Sequence, residues 1–215
     1  RSELLDRDPL NKLLARQNRY RIEAEGVRDM SLAASGLLST KIGGPSIRPP
    51  MPGDIAKLGY ANSVRWAESK GEDRYRRGLY IFFQRTVPYP MLMAFDSPDS
   101  NVTCTRRERS NTPIQALTLL NDVAFFECAQ ALAQRVASEA TKDRASRIRY
   151  AFKASLSREP TDAELKEFTD WLNATEKQYA EDTTAAGMLT GQAKLAKEEQ
   201  VQLAALTAAS RVLLN

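Results

Sequence analysis

A capping box opens the second half of this chain and commits it to helix. In NTPIQALTLLND, Thr112 suits the N-cap, Pro113 the first helical position, and Gln115 stands three residues after the cap. Ile114, Leu117 and Leu120, with Ala116, are expected on its inward face. Asn121-Asp122 interrupts the run, and Asp122 is placed to cap a second helix over about 123–140, burying Phe125, Ala129, Leu132 and Val136. Further helices are expected over about 144–157, from a second box formed by Thr161 and Glu164, and over about 192–214, with a break at DTTAAG.

The N-terminal third also reads as helix. DPLNKLLARQ offers Asp8 as a cap and Pro9 as a first helical residue. A second helix is expected from about Arg21 to Leu38, with Ile22, Val27, Met30, Ala33, Ala34 and Leu37 as its apolar stripe. GGPSIRPPMPGD, dense in Gly and Pro, ends that helix and is irregular. YRRGLYIFFQRT holds a short strand or a helical turn from Leu79 to Phe83, two states that periodicity does not separate at this length. The expected fold is therefore mainly α. An irregular central layer (about 41–111) packs on helices within 1–140, and a C-terminal bundle over 141–215 joins it as one unit.

Composition excludes whole classes of chemistry. The 215 residues contain no histidine, so no Ser-His-Asp triad, His-ligated zinc or haem imidazole can come from this chain. Two cysteines, Cys104 and Cys128, are too few for a four-ligand zinc site; they form one disulfide in an oxidising compartment or stay as small buried hydrophobes. The net charge of +4, from 31 basic and 27 acidic residues, permits an anionic partner without requiring one. No run approaches the roughly 18 apolar residues of a membrane helix. The chain starts at Arg1 with no visible signal peptide, as a piece of a larger product would.

Arginine clusters are the unusual feature. Arg74, Arg76 and Arg77 form one group and Arg106, Arg107 and Arg109 another, with Arg85 between them. Brought together beside the helix start at Thr112, these guanidiniums suit a sulfate, phosphate or carboxylate group. The competing reading pairs them with Asp96, Asp99 and Glu108, as cross-links in a segment with few backbone bonds of its own. Asp96, among apolar neighbours in MAFDSP, is the most interesting of the carboxylates as an acid or base, which Tyr80, Arg106 and Arg107 would assist on an acidic sugar. The aromatics Tyr75, Tyr80, Phe82 and Phe83 serve as core more readily than as stacking platforms, so nucleic acid is a weak third option.

Four segments resemble one family in order along the chain: QNRYRIEAEGVRDMSLAASGLL, GGPSIRPPMP, YRRGLYIFFQRTVPYP and FDSPDSNVTCTRRERSNTPIQALTLLND. They are similar to the C-terminal domain of unknown function in large planctomycete-type multidomain proteins. The resemblance implies export to the periplasm or cell surface, and partners among the other domains of the same polypeptide. It places haem only in an upstream cytochrome-c-like domain, leaving no cofactor in this chain. It favours an acidic or sulfated polysaccharide over nucleic acid as an anionic partner. Arg76, Arg77, Tyr80, Arg85, Asp96, Arg106, Arg107 and Thr112 all fall within the matching motifs, and none is an assigned catalytic residue. Val123 departs from the family's frequent Pro after Asn-Asp. The expectation is a non-catalytic interaction or structural module.

Overall fold

The computed structural model describes residues 2–17, 20–52, 55, 66–141, 143–192 and 195–215. Among these residues the fold is all-helical, with nine α-helices and no β-strand. They are α1 (Ser2–Arg7), α2 (Ala24–Ser35), α3 (Pro90–Ala94), α4 (Pro113–Asn121), α5 (Val123–Glu139), α6 (Arg144–Leu156), α7 (Asp162–Glu181), α8 (Thr183–Thr190) and α9 (Lys197–Leu214).

Capping chemistry sets most boundaries. Asp122 accepts from the Ala124 amide and starts α5 at an angle of 60° to α4. Asp143 accepts from Ser146 to start α6, and Thr161 and Glu164 exchange the two bonds of a capping box at α7. Gly36, at φ 79°, closes α2 with the αL turn that a residue without Cβ adopts cheaply.

Three expected boundaries moved. The first helix lies before Asp8, not after it. The Asp8 carboxylate accepts from the amides of Lys12 and Leu13, four and five residues on, and Asn11 and Leu14 take positive φ. The short acidic side chain thus holds a turn in place of a helix. DTTAAG is likewise no break: Asp182 accepts from the Ala185 amide and nucleates α8 there. The final helix begins at Lys197, five residues later than expected.

The core has two clusters joined by α5. At one end Leu132, Ala133 and Val136 pack with Ile148 and Phe152 of α6, Leu172 of α7 and Leu203, Leu206 and Leu213 of α9. At the other end Phe125 joins Ile47, Ile81, Tyr89, Met91, Leu92 and Phe95 from the central layer. Helix α2 lies against α5 and ties that layer to the bundle. Among the described residues no single helix is long and apolar enough to cross a membrane.

The central layer follows neither alternative for Leu79–Phe83 along its length. Gly78–Tyr80 is a 3-10 turn, and Ile81 makes a lone parallel bridge to Ile47. Stitches hold it: Ser39 N–H donates to Tyr75 O, Ile47 N–H to Tyr80 O, and Phe82 N–H to Ile47 O.

The buried faces of α2 and α4 also differ from the apolar stripes. Met30 and Ile22 are exposed, while Arg28, Ser31 and Ser35 are buried beside Ala24 and Leu32. On α4, Ile114 and Leu117 face outward and Gln115 is buried. In both helices a polar side chain that serves backbone or side-chain partners has taken the inward position. Hydrogen bonding decided the orientation there, against hydrophobicity.

Candidate functional site

Arg76 is fully buried and committed to backbone. Its guanidinium donates to the carbonyl oxygens of Pro45 (2.9 Å), Lys41 (3.4 Å) and Gly43, and lies over the Tyr80 ring. Tyr80 in turn accepts from the Gly43 amide through its hydroxyl, at 2.8 Å. The GGPS loop is thereby pinned from below. Arg28, which the sequence reading passed over, does the same one layer deeper. It donates from Nη2 to Arg74 O at 2.7 Å and from Nε to Arg76 O at 3.3 Å. Arg74 forms a two-bond pair with Glu127 on α5 and a further bond to Glu68. These side chains knit the central layer together.

The helix mouth at Thr112 is closed by the chain's own groups. Asp96 sits at φ 59°, a left-handed conformation that Asp tolerates better than most residues, just after α3. Its carboxylate accepts from the Ser110 amide at 2.6 Å and from the Ser110 hydroxyl at 2.7 Å. Those bonds, the backbone one first, hold the Asp96 carboxyl below its ordinary 3.8. Gln115 donates to Ser110 Oγ and accepts from Arg21 Nη2 (2.5 Å) and the Thr112 amide (3.4 Å). The Thr112 hydroxyl faces the Gln115 amide without reaching good hydrogen-bond geometry. Asp96 is therefore clamped by a serine and is not the arginine partner that the sequence reading gave it. The cleft between Asp96, Gln115 and Arg107 measures about 10 Å³, space for one water at most.

The remaining arginines reach the surface, where they strap the loop 104–110 to the entry of α2. Arg107 Nη1 bonds Glu25 at 2.8 Å and Glu23 at 3.0 Å. Arg109 stands 3.7 Å from Glu23, with its guanidinium over the Tyr20 ring. Arg77 and the Gly78 amide bind the two oxygens of Asp29, at 2.8 and 2.6 Å. Burial raises the Glu25 carboxyl, but the bonds from Arg107 and from its own amide outweigh that and hold it low. Two recesses flank the strap and share Glu23, Arg107 and Arg109. One, of about 770 Å³, includes Cys104, Arg106 and Glu108; the other, of about 670 Å³, includes Tyr20, Ile22 and Leu79. Both volumes fall in the range of small-ligand sites.

Of the eight sequence candidates, Arg77, Arg106 and Arg107 line this trough. Arg76 and Tyr80 hold the loop 41–45 instead, and Asp96 and Thr112 stand at the start of α4. Arg85 stands outside it, with its guanidinium on Asn101. The sequence reading missed the trough's other wall, which comes from RIEAEGVRD. The signal is present as the carboxylates Glu23, Glu25 and Asp29, which lie between the apolar stripe positions of that helix. Cys104 is exposed and Cys128 buried, both as free thiols, so neither the disulfide nor a doubly buried pair describes them. Among the described residues no group of histidine, cysteine, aspartate and glutamate side chains could hold a metal ion.

Fold and site together define an all-helical domain with an arginine-laced irregular layer and an ion-paired surface trough. The chain belongs to the family described as protein of unknown function DUF1553 (PSD1), whose model matches residues 1–172. No curated protein and no solved structure matches it.

Proposed function

We propose that this domain is a non-catalytic interaction module of an exported, periplasmic or cell-surface multidomain protein, and that the trough binds the anionic group of an acidic or sulfated glycan. The observation that carries the reading is Arg106. It is exposed, makes no ion pair among the described residues, and shares a recess with Arg107 and Arg109. A guanidinium in that setting takes a carboxylate or sulfate through paired N–H bonds.

Two carboxylates near the trough are poorly suited to a general-acid role. A general acid working near neutrality needs a raised pKa, whereas Asp96 and Glu25 are both held low by hydrogen bonds. A second reading, docking of a sister cytochrome-like domain, draws on the same exposed arginines; any haem belongs to that upstream domain.

The test is binding of an acidic polysaccharide against neutral dextran by isothermal calorimetry. The Arg106→Ala/Arg109→Ala double variant should lose at least about tenfold in affinity while its melting temperature stays within about two degrees. Equal binding by wild type and double variant would sink the proposal.

A further inference from the structure

We infer that the trough selects a sparsely charged saccharide, one acidic sugar flanked by neutral ones, and discriminates against dense polyanions. The inference rests on the glycan reading above and adds the charge density of the ligand.

Charge balance carries it. Arg21, Arg77, Arg106, Arg107 and Arg109 bring five positive charges to the lining. Glu23, Glu25, Asp29 and Glu108 return four negative ones. Those carboxylates are not incidental. Glu23 and Glu25 hold Arg107 at 3.0 and 2.8 Å, and Asp29 holds Arg77 at 2.8 Å, so most of the cationic charge is answered from within. About one net positive charge is left, and Arg106 is the lining guanidinium with no ion pair among the described residues. A ligand with an anion on every unit would set its further charges against Glu23, Glu25 and Glu108, whose repulsion offsets what the arginines give.

The rest of the surface suits uncharged sugar. Ile22, Gly26 and the exposed Leu79 give the second recess apolar contact area, and Tyr20 adds a ring beneath Arg109. Pyranose rings present C–H faces to such a floor and hydroxyls to the guanidinium and carboxylate walls. The recesses, at about 770 and 670 Å³, have room for a few sugar units.

The experiment uses one backbone at several charge densities. Galacturonan oligosaccharides with all, about one in five, or none of their carboxylates free are titrated into the whole domain, beside a heparin fragment and a polyglutamate peptide. The sparsely charged oligosaccharide should bind at least about threefold tighter than the fully charged one. Its affinity should fall with salt at a slope near one in log–log form, as for a single ion pair. Arg106→Ala should reduce it to the affinity of the uncharged oligosaccharide. Glu108→Gln, which removes one repelling carboxylate, should improve binding of the fully charged polymer and steepen its salt slope.

Tightest binding to heparin or the fully charged galacturonan, with a slope of several, overturns the charge-density inference and leaves the glycan reading standing. Tighter binding of polyglutamate assigns the trough to a protein partner and overturns both. Binding of none of the probes also overturns both.

Discussion

Arg76 carries its guanidinium 3.8 Å from the centre of the Tyr80 ring, and the two side chains together close the loop 41–45. Among the described residues no carboxylate bonds Arg76; its partners there are three backbone carbonyls and an aromatic face. Such an arrangement makes a loop with no ladder of its own behave as part of the core.

Replacing Arg76 by Met keeps much of the volume but leaves the carbonyls of Lys41, Gly43 and Pro45 without their donor. The expected loss is about 3 kcal/mol, from buried acceptors left unpaired. Urea unfolding of Arg76→Met would read it as a lowered midpoint at unchanged slope. A loss under about 1 kcal/mol would mean the loop is held by other contacts.

Gly78 is required by close approach. A Cβ there would stand 2.7 Å from Glu25 Cα and 2.8 Å from Glu25 O, both backbone atoms that cannot move aside alone. Gly78→Ala should therefore push the 3-10 turn off α2, disturb the Asp29 clamp and cost about 1–3 kcal/mol. Thermal unfolding measures the cost. Weaker acidic-glycan binding should accompany it, because Arg77 and Asp29 line the trough.

The Asp96 clamp gives a pH signature. With its folded pKa below the ordinary 3.8, Asp96 contributes stability that is complete above that value and disappears as pH falls through the folded one. Asp143, lowered to about 2 chiefly by Ser146, and Glu164, lowered to about 2 chiefly by Arg158, act in the same direction. Stability should thus fall between about pH 4 and pH 2. Ser110→Ala removes the hydroxyl bonds but keeps the amide one, so it should raise the Asp96 carboxyl only part of the way back, which carbon-detected NMR titration reads directly.

The two thiols should behave differently. Cys104 is exposed, while Cys128 is buried on α5 with its thiol pushed up to about 11 by desolvation. A disulfide-exchange reagent at neutral pH should titrate one thiol in the folded protein and two after denaturation. Two fast thiols in the native state would contradict the packing of α5.

Strapping by Arg107 should matter more for shape than for stability. Arg107, Glu23 and Glu25 are all partly exposed, and ion pairs of that kind contribute at most about 1 kcal/mol. Arg107→Ala should leave the melting temperature within a few degrees while raising the protease sensitivity of the loop 104–110.

Capping residues made most of the helical frame legible. Asp122, Asp143, Thr161 and the Thr112–Gln115 pair mark starts through local bonds, which depend on residues within four positions of each other. The same logic misled at Asp8, where the carboxylate has equally local alternatives. Periodicity succeeded on α5, whose inward face is apolar, and failed on α2 and α4, where Arg28 and Gln115 turn inward for polar partners. Part of the candidate site was legible as clustered arginines, yet their partners were not: the bond from Arg107 to Glu25 joins residues 82 positions apart.

The sequence alone determined that this is a helical protein with an irregular arginine-rich centre, and its missing histidine removed whole classes of chemistry. Those properties reside in composition and in contacts within a turn or two of chain. Only the tertiary structure decided which arginines are buried clamps and which are free to meet a ligand. A guanidinium has the same local sequence in either role. Its fate depends on whether carbonyls, a ring or a carboxylate from a distant segment folds against it.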